Sequence, residues 1–158
     1  MAMPDTLRDF WSAFAQACGE ADESHFYEAF AFGDSPALAD ELAALVLQGT
    51  KRATAGLLWA FQAEGKPLPK SGDLSIVTSG AGVPLCVIET LAVEIVPFDQ
   101  VSADFAAAEG EGDGSLAFWR AAHSQFFGRE CARLGRRFEP DMPVVCERFR
   151  KRYPPAGG

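Results

Sequence analysis

The chain has 158 residues, 48% of them hydrophobic and 23% charged, with a formal net charge of −8. That length suits one domain with a sizeable core, and the composition is ordinary for a globular protein. The acidic surplus repels polyphosphate at long range and excludes non-specific binding to duplex DNA, and no apolar run approaches the ~20 residues of a membrane helix.

The start, MAMPDTLRDFW, has no basic stretch followed by an apolar one, so no signal peptide is expected and the expected compartment is the cytoplasm. DTLRDFWSAFAQAC predicts a helix. It opens at Pro4–Asp5, stops at Gly19, and carries Leu7, Phe10, Trp11, Phe14 and Cys18 on one face. SHFYEAFAFG is aromatic and less regular, a short strand or edge segment. DSPALADELAALVLQG is the clearest helix signature. Asp34 or Ser35 caps it, Pro36 suits its first turn, and Leu38, Leu42, Leu45 and Val46 form its stripe. Gly49 suits the left-handed residue that closes it.

AGLLWAFQAEG has mixed character and PLPKSGD is a turn-rich connection. Three strands follow at 74–78, 84–90 and 91–98, with SGAGV as the hairpin turn between the first two. PLCVI is apolar on both faces and predicts a central strand. VSADFAAAEGEGDGS is rich in glycine and acid, with a short helix at 102–108. SLAFWRAAHSQFFGRECARLG predicts a second long helix with a stripe of Trp119, Ala122, Phe126, Phe127, Cys131 and Leu134. PVVCERFRKRY is the last strand. Helices, then strands on short turns, then a helix and a strand imply an α+β fold with antiparallel pairing. No glycine-rich nucleotide motif is present.

Charge is unevenly placed. Residues 129–158 hold 8 basic and 4 acidic side chains, whereas residues 1–128 hold 6 basic and 18 acidic ones. The basic end reads as a solvated, solubilising tail or as a local phosphate contact. Cys18, Cys86, Cys131 and Cys146 form no C-x-x-C pair and read as reduced core thiols. With only two histidines and no ligand spacing, a zinc site is not expected.

The stretch GTKRATAG, residues 49–56, sets Lys51, Arg52 and Thr54 just past a helix end. A bend there turns Lys51 and Thr54 the same way, whereas an extended strand would turn them apart. A threonine hydroxyl becomes a nucleophile only when a base takes its proton. A lysine serves as that base only when neutral, which requires its pKa to fall by about 3 pH units, or roughly 4 kcal/mol. The plain alternative is a surface lysine and a strand threonine. Glu109, Glu111 and Asp113 alternate with glycines in the second candidate stretch, which is either a solvated loop with an N-cap or a loop holding a glutamate over a pocket. His123 reads as a partly buried structural histidine, and no serine or cysteine hydrolase pattern accompanies it. Phe32 and Trp59 read as core aromatics or as base-stacking surfaces.

The segments FGDSPALADELAALVLQGTKRATAG, GDLSIV, CVIET, EGEGDGSLAFWRAAHSQFF and MPVVCERFR resemble the ASCH domain, in its longer bacterial branch, over about residues 28–153. That family is related to the PUA RNA-binding fold. The resemblance implies a small mixed or antiparallel β-barrel flanked by helices. Residues 1–27 would be an N-terminal helical extension and residues 154–158 a disordered tail. Some short members of the family are amidohydrolases that deacylate N4-acetylcytidine with a threonine, a lysine and a glutamate. Lys51 and Thr54 match the first two positions, and Glu111 the third, with Glu109 the fallback. The implied scheme has Thr54 attack the amide carbonyl while Lys51 takes its proton. Phe32, Arg52, Trp59 and Glu109 are the expected substrate contacts. No metal or other cofactor is implied. A member of the longer branch is described as a ribonuclease, so the alternatives are a single-strand ribonuclease and a non-catalytic module for RNA or modified nucleotides. The expected partner is a small nucleoside or single-stranded RNA, with a homodimer left open.

Overall fold

The fold comes from a computed structural model that describes residues 3–19 and 21–155. Helix α1 (Asp5–Cys18) runs from the Pro4 cap to Gly19 and buries Leu7, Trp11 and Phe14. Phe10 and Cys18 flank that stripe half-buried. The aromatic segment after it is a 3-10 turn, Glu23–His25, followed by strand β1 (Phe26–Phe30). Helix α2 (Pro36–Leu47) is capped by Ser35, whose hydroxyl accepts from the Leu38 N–H at 3.2 Å. Ala39, Leu42, Ala43 and Val46 are its buried residues, while Leu38 and Leu45 turn to a cavity. The segment of mixed character resolves into strand β2 (Ala53–Leu57) and helix α3 (Leu58–Glu64).

Strand β3 (Leu74–Thr78) lies where expected. The two strands expected at 84–90 and 91–98 are one, β4 (Pro84–Pro97). Nothing in Thr90-Leu91-Ala92 can turn a chain. The ladder slips by one residue there instead, and the strand passes through as a bulge. Helices α4 (Ala103–Glu109) and α5 (Leu116–Arg133) follow, then strand β5 (Pro143–Tyr153). The α5 stripe differs from the expected one. It buries Trp119, His123, Phe127 and Cys131, while Ala122 and Phe126 face the cavity.

The five strands form one mixed sheet in the order β1-β3-β4-β5-β2. β1 runs parallel to β3, and the other three pairs are antiparallel. α1 packs on one face through Phe26, Leu74, Ile76 and Val87. α2 packs on the alternate residues Val77, Cys86 and Ile88, which point the other way. α4 and α5 cover Ala53, Leu57, Val144 and Cys146. β1 and β2 are the sheet edges, yet both line one cavity, so the sheet curls into a barrel-like wall that is open between them. The fold is α+β with helices flanking the curled sheet.

The basic end is not a solvated tail through residue 153. It is β5, paired on one side with β4 and on the other with β2. Arg150 and Arg152 both reach Glu89, at 2.9 and 3.0 Å. Of the expected disordered tail, residues 156–158 lie outside the described residues.

Candidate active site

Lys51 is placed by the chain just past α2. Gly49 takes a φ of 82°, and the N–H groups of Thr50 and Lys51 both donate to the Leu45 carbonyl, at 3.0 and 3.1 Å. The Arg52 N–H then donates to Ala108 O at 2.7 Å, and Arg52 O accepts from the Phe149 N–H at 3.0 Å. These bonds pin the bend between α4 and β5 and turn the lysine inward, to 2% exposure. Its ammonium donates to Ala53 O at 2.8 Å, Glu109 Oε1 at 3.1 Å and Glu111 Oε2 at 2.9 Å. It also lies 5.2 Å from the centre of the Phe32 ring, a favourable cation–π distance.

Glu109 ends α4, and Gly110, at a φ of 68°, turns the chain so that Glu111 also faces Lys51. A Cβ at position 110 would collide with the Thr50 carbonyl oxygen, so the close approach of the two segments requires glycine. The second oxygen of Glu109 accepts from the Trp119 indole N–H and lies 3.1 Å from His123 Nε2. His123 Nδ1 lies 2.9 Å from Trp119 O, and the two rings stack with centroids 4.2 Å apart. Both ring nitrogens of His123 thus face acceptors, which favours the doubly protonated ring.

Electrostatics follow from this packing. Burial would push Lys51 down, but Glu109 and Glu111 outweigh it and its pKa is raised. Burial would push Glu109 up, but Lys51, His123 and Trp119 hold it down to about 2. Burial opposes the His123 charge too, and Glu109 overcomes it, so that pKa is raised. Two cations and two carboxylates therefore balance inside the protein. Glu109, Glu111 and His123 each offer a ligand atom within 4.8 Å of the others. A metal ion bound by them would have to displace the Lys51 ammonium from the carboxylates.

Above this cluster is a cavity of about 440 Å³. Lys51, Thr54, Glu109, Glu111 and His123 are among its polar groups, with Glu41, Gln125 and Arg129 also in its walls. Phe32, Leu38, Leu42 and Leu45 wall one side, and Phe118 and Phe126 the other. Thr54 also lines a second space of about 230 Å³ in the gap between β1 and β2. The bend before β2 brings Lys51 and Thr54 to one cavity, and Phe32, Glu109 and Glu111 join them. Arg52 and Trp59 do not line it. Arg52 is exposed between two inward residues, and Trp59 packs against α4, α5 and the sheet under the Arg136 guanidinium, 4.3 Å away. His123 is buried, as a structural histidine would be, and it also lines the cavity, which the sequence reading did not give it. Its only signal was its place four residues after Trp119, on the same face of α5.

The chain matches the family model for the ASCH domain over residues 28–153. It belongs to the ASCH domain family. The crystal structure of an ASCH domain from Lactobacillus crispatus JV V101 is 37% identical, with a TM-score of 0.87, and covers 97% of this chain and 98% of its own. Protein EF3133 from Enterococcus faecalis V583 is 35% identical, with a TM-score of 0.84, over 94% of this chain and 89% of that one. Both likenesses span nearly the whole ASCH chain. The hypothetical protein PH0355 shares the fold alone, at 15% identity and a TM-score of 0.53. No curated protein matches. Among the described residues of the ASCH chain, no helix is long and apolar enough to cross a membrane.

Proposed function

We propose that this ASCH protein is an amidohydrolase that removes the acyl group from N4-acetylcytidine or a related N4-acylcytosine nucleoside. One observation carries the reading. Lys51, Thr54 and Glu111, the three positions that the resemblance assigns to chemistry, line one cavity. Its volume of about 440 Å³ falls in the small-molecule range. Its cations are all engaged: Lys51 and His123 by the buried carboxylates, and Arg129 by Asp34 at 2.7 Å. An uncharged nucleoside suits such a cavity better than a polyanion, and the acidic chain favours the same choice.

In this reading Thr54 Oγ attacks the acyl carbon and an acyl-threonine ester forms while the cytosine amine departs. Lys51 keeps its proton. Its raised pKa makes the ammonium the resting form at neutral pH, so the role of neutral base passes to another group. The N–H groups of the ammonium are held by Ala53 O, Glu109 and Glu111, so it acts on the charge that develops on the carbonyl oxygen through space. Glu111, the more open of the two carboxylates, orients Lys51 and the water that clears the ester.

The test is release of cytidine from N4-acetylcytidine in the presence of EDTA. Wild type should turn over, and Thr54→Ala and Lys51→Ala should each lose about 100-fold or more. Absence of release with enzyme near substrate concentration would sink the reading. A second reading, a module for single-stranded RNA, has one observation in its favour: Phe118 is 41% exposed at the cavity wall, where a base could stack. It requires RNA affinity that falls steeply with salt.

A further inference from the structure

The amidohydrolase scheme needs a base for Thr54, and the cluster around Lys51 lacks one. Lys51 is protonated, and Glu109 and Glu111 already accept from it. Another carboxylate is carried at the position paired with the threonine on the neighbouring strand. Thr54 on β2 stands directly opposite Glu147 on β5 in the antiparallel ladder. Residues so paired send their side chains to the same face, with Cβ atoms about 4.5–5.5 Å apart.

Glu147 is partly buried and Oε2 accepts from the Thr90 hydroxyl of β4 at 2.7 Å. Tyr27 and Glu28 of β1, Lys66 beyond α3 and Asp73 ahead of β3 lie within electrostatic reach of it. Lys66 is bound to Glu28 at 2.7 Å and Asp73 to Lys70 at 3.0 Å. Among the described residues Glu147 has no ion-pair partner. Burial pushes its pKa up, Thr90 opposes that, and the Glu28 charge adds to it. A carboxylate so placed takes a proton more readily than an ordinary one.

We propose that Glu147 is the general base of the reaction, taking the Thr54 proton directly or through one water and returning it to the departing amine. This rests on the amidohydrolase reading. In the first half, the Thr54 O–H bond breaks, its proton moves to the Glu147 carboxylate, and Oγ bonds to the acyl carbon. The acyl carbon–N4 bond then breaks, N4 takes the proton from Glu147, and cytidine leaves with its amino group. In the second half, a water gives a proton to Glu147 as its oxygen bonds to the acyl carbon. The ester bond breaks, Thr54 Oγ recovers the proton, and the carboxylic acid departs. One water is consumed, and Thr54 and Glu147 end as they began.

The experiment follows kcat/KM of the full chain for N4-acetylcytidine against pH. Glu147→Gln keeps an acceptor for Thr90 and removes only the basicity. It should lower kcat/KM by about 10²–10⁴-fold, with product binding unchanged and a melting temperature no lower than that of wild type, since the variant removes a buried charge. Two further variants read the same group without deleting it. Thr90→Val removes a hydrogen bond that holds the Glu147 pKa down, so the acid limb of the profile should move to higher pH. Glu28→Gln removes a like charge and frees Lys66, so that limb should move to lower pH. Opposed shifts support the assignment even if Glu147→Gln fails to fold. An active wild type beside a Glu147→Gln variant within about threefold of it, or acid limbs that stay put in both other variants, overturns the assignment alone. A wild type that releases no cytidine overturns the amidohydrolase reading, and the assignment with it.

Discussion

In the proposed reading Lys51 is both structural and chemical. Its ammonium is the charge that lets Glu109 and Glu111 approach each other in the interior. Lys51→Met should therefore cost about 3–5 kcal/mol, because it strands buried carboxylates without a cation. Urea denaturation at neutral pH measures this, and acidification that protonates the carboxylates should recover part of the loss. The wild-type pH dependence has two signs. The folded pKa of Glu109 is depressed, from 4.5 to about 2, so its contribution is present above about pH 4.5 and is lost as pH falls through about 2. The folded pKa of His123 is raised above 6.5, so its contribution is full below that value and is lost as pH rises through the folded pKa. His123→Gln should flatten the alkaline slope of the stability curve near neutrality, and denaturation midpoints across pH would show whether it does.

At the scale of elements, the site is a junction of ends. Lys51 follows the C-terminus of α2, Glu109 closes α4, and Thr54 lies near the start of β2. Ends are held by caps and turns, so these should separate stability from chemistry. Ser35→Ala removes the α2 cap without touching a residue that lines the cavity except through the Leu38 N–H, and should cost about 1 kcal/mol of stability with kcat little changed. Gly110→Ala acts the other way. Its Cβ has to displace Thr50 or the acidic loop, which moves Glu111 away from Lys51. A shift near 1 Å should lower kcat by about 100-fold, and steady-state kinetics beside a melting curve would separate that loss from unfolding.

For the whole molecule, charge and burial decide the partners and the boundary of the fold. Much of the positive charge in the last thirty residues is internally engaged. Arg129 pairs with Asp34, Arg133 with Glu130, and Arg150 and Arg152 with Glu89. A chain of net charge −8 with four of the eight cations in that segment so paired should hold single-stranded RNA weakly and, in the proposed reading, turn over a nucleoside with little dependence on salt. Turnover and RNA binding at about 50 and 200 mM salt would test both. Helix α1 shares one hydrophobic cluster with β1, β3 and β4, through Trp11, Phe14, Phe26, Ile76 and Val87. Trp11→Ala should cost about 3–5 kcal/mol, as a large core truncation does.

Element types were legible along most of the chain because they rest on local periodicity and end signals. Leu7 to Cys18 repeats at helical spacing, Ser35-Pro36 marks a start, and Gly49 marks a stop. The K-x-x-T stretch and the glutamates of the acidic loop were legible as residue types able to do chemistry. Where local signals were weak, the reading missed. A bulge at Leu91 looks like a strand boundary in sequence, since only the β5 ladder shows that pairing continues past it. The partners of each charge depend on which distant segments meet, and nearest neighbours in sequence do not reveal that. The sequence by itself determined the helices, the strand-forming runs and the candidate lysine, threonine and glutamates. Only the tertiary structure decided that Lys51 is a buried ammonium between two carboxylates, that His123 holds one of them, and that Glu147 lies across from Thr54. The physical reason is that protonation and reach are set by burial and by contacts between residues far apart in the chain.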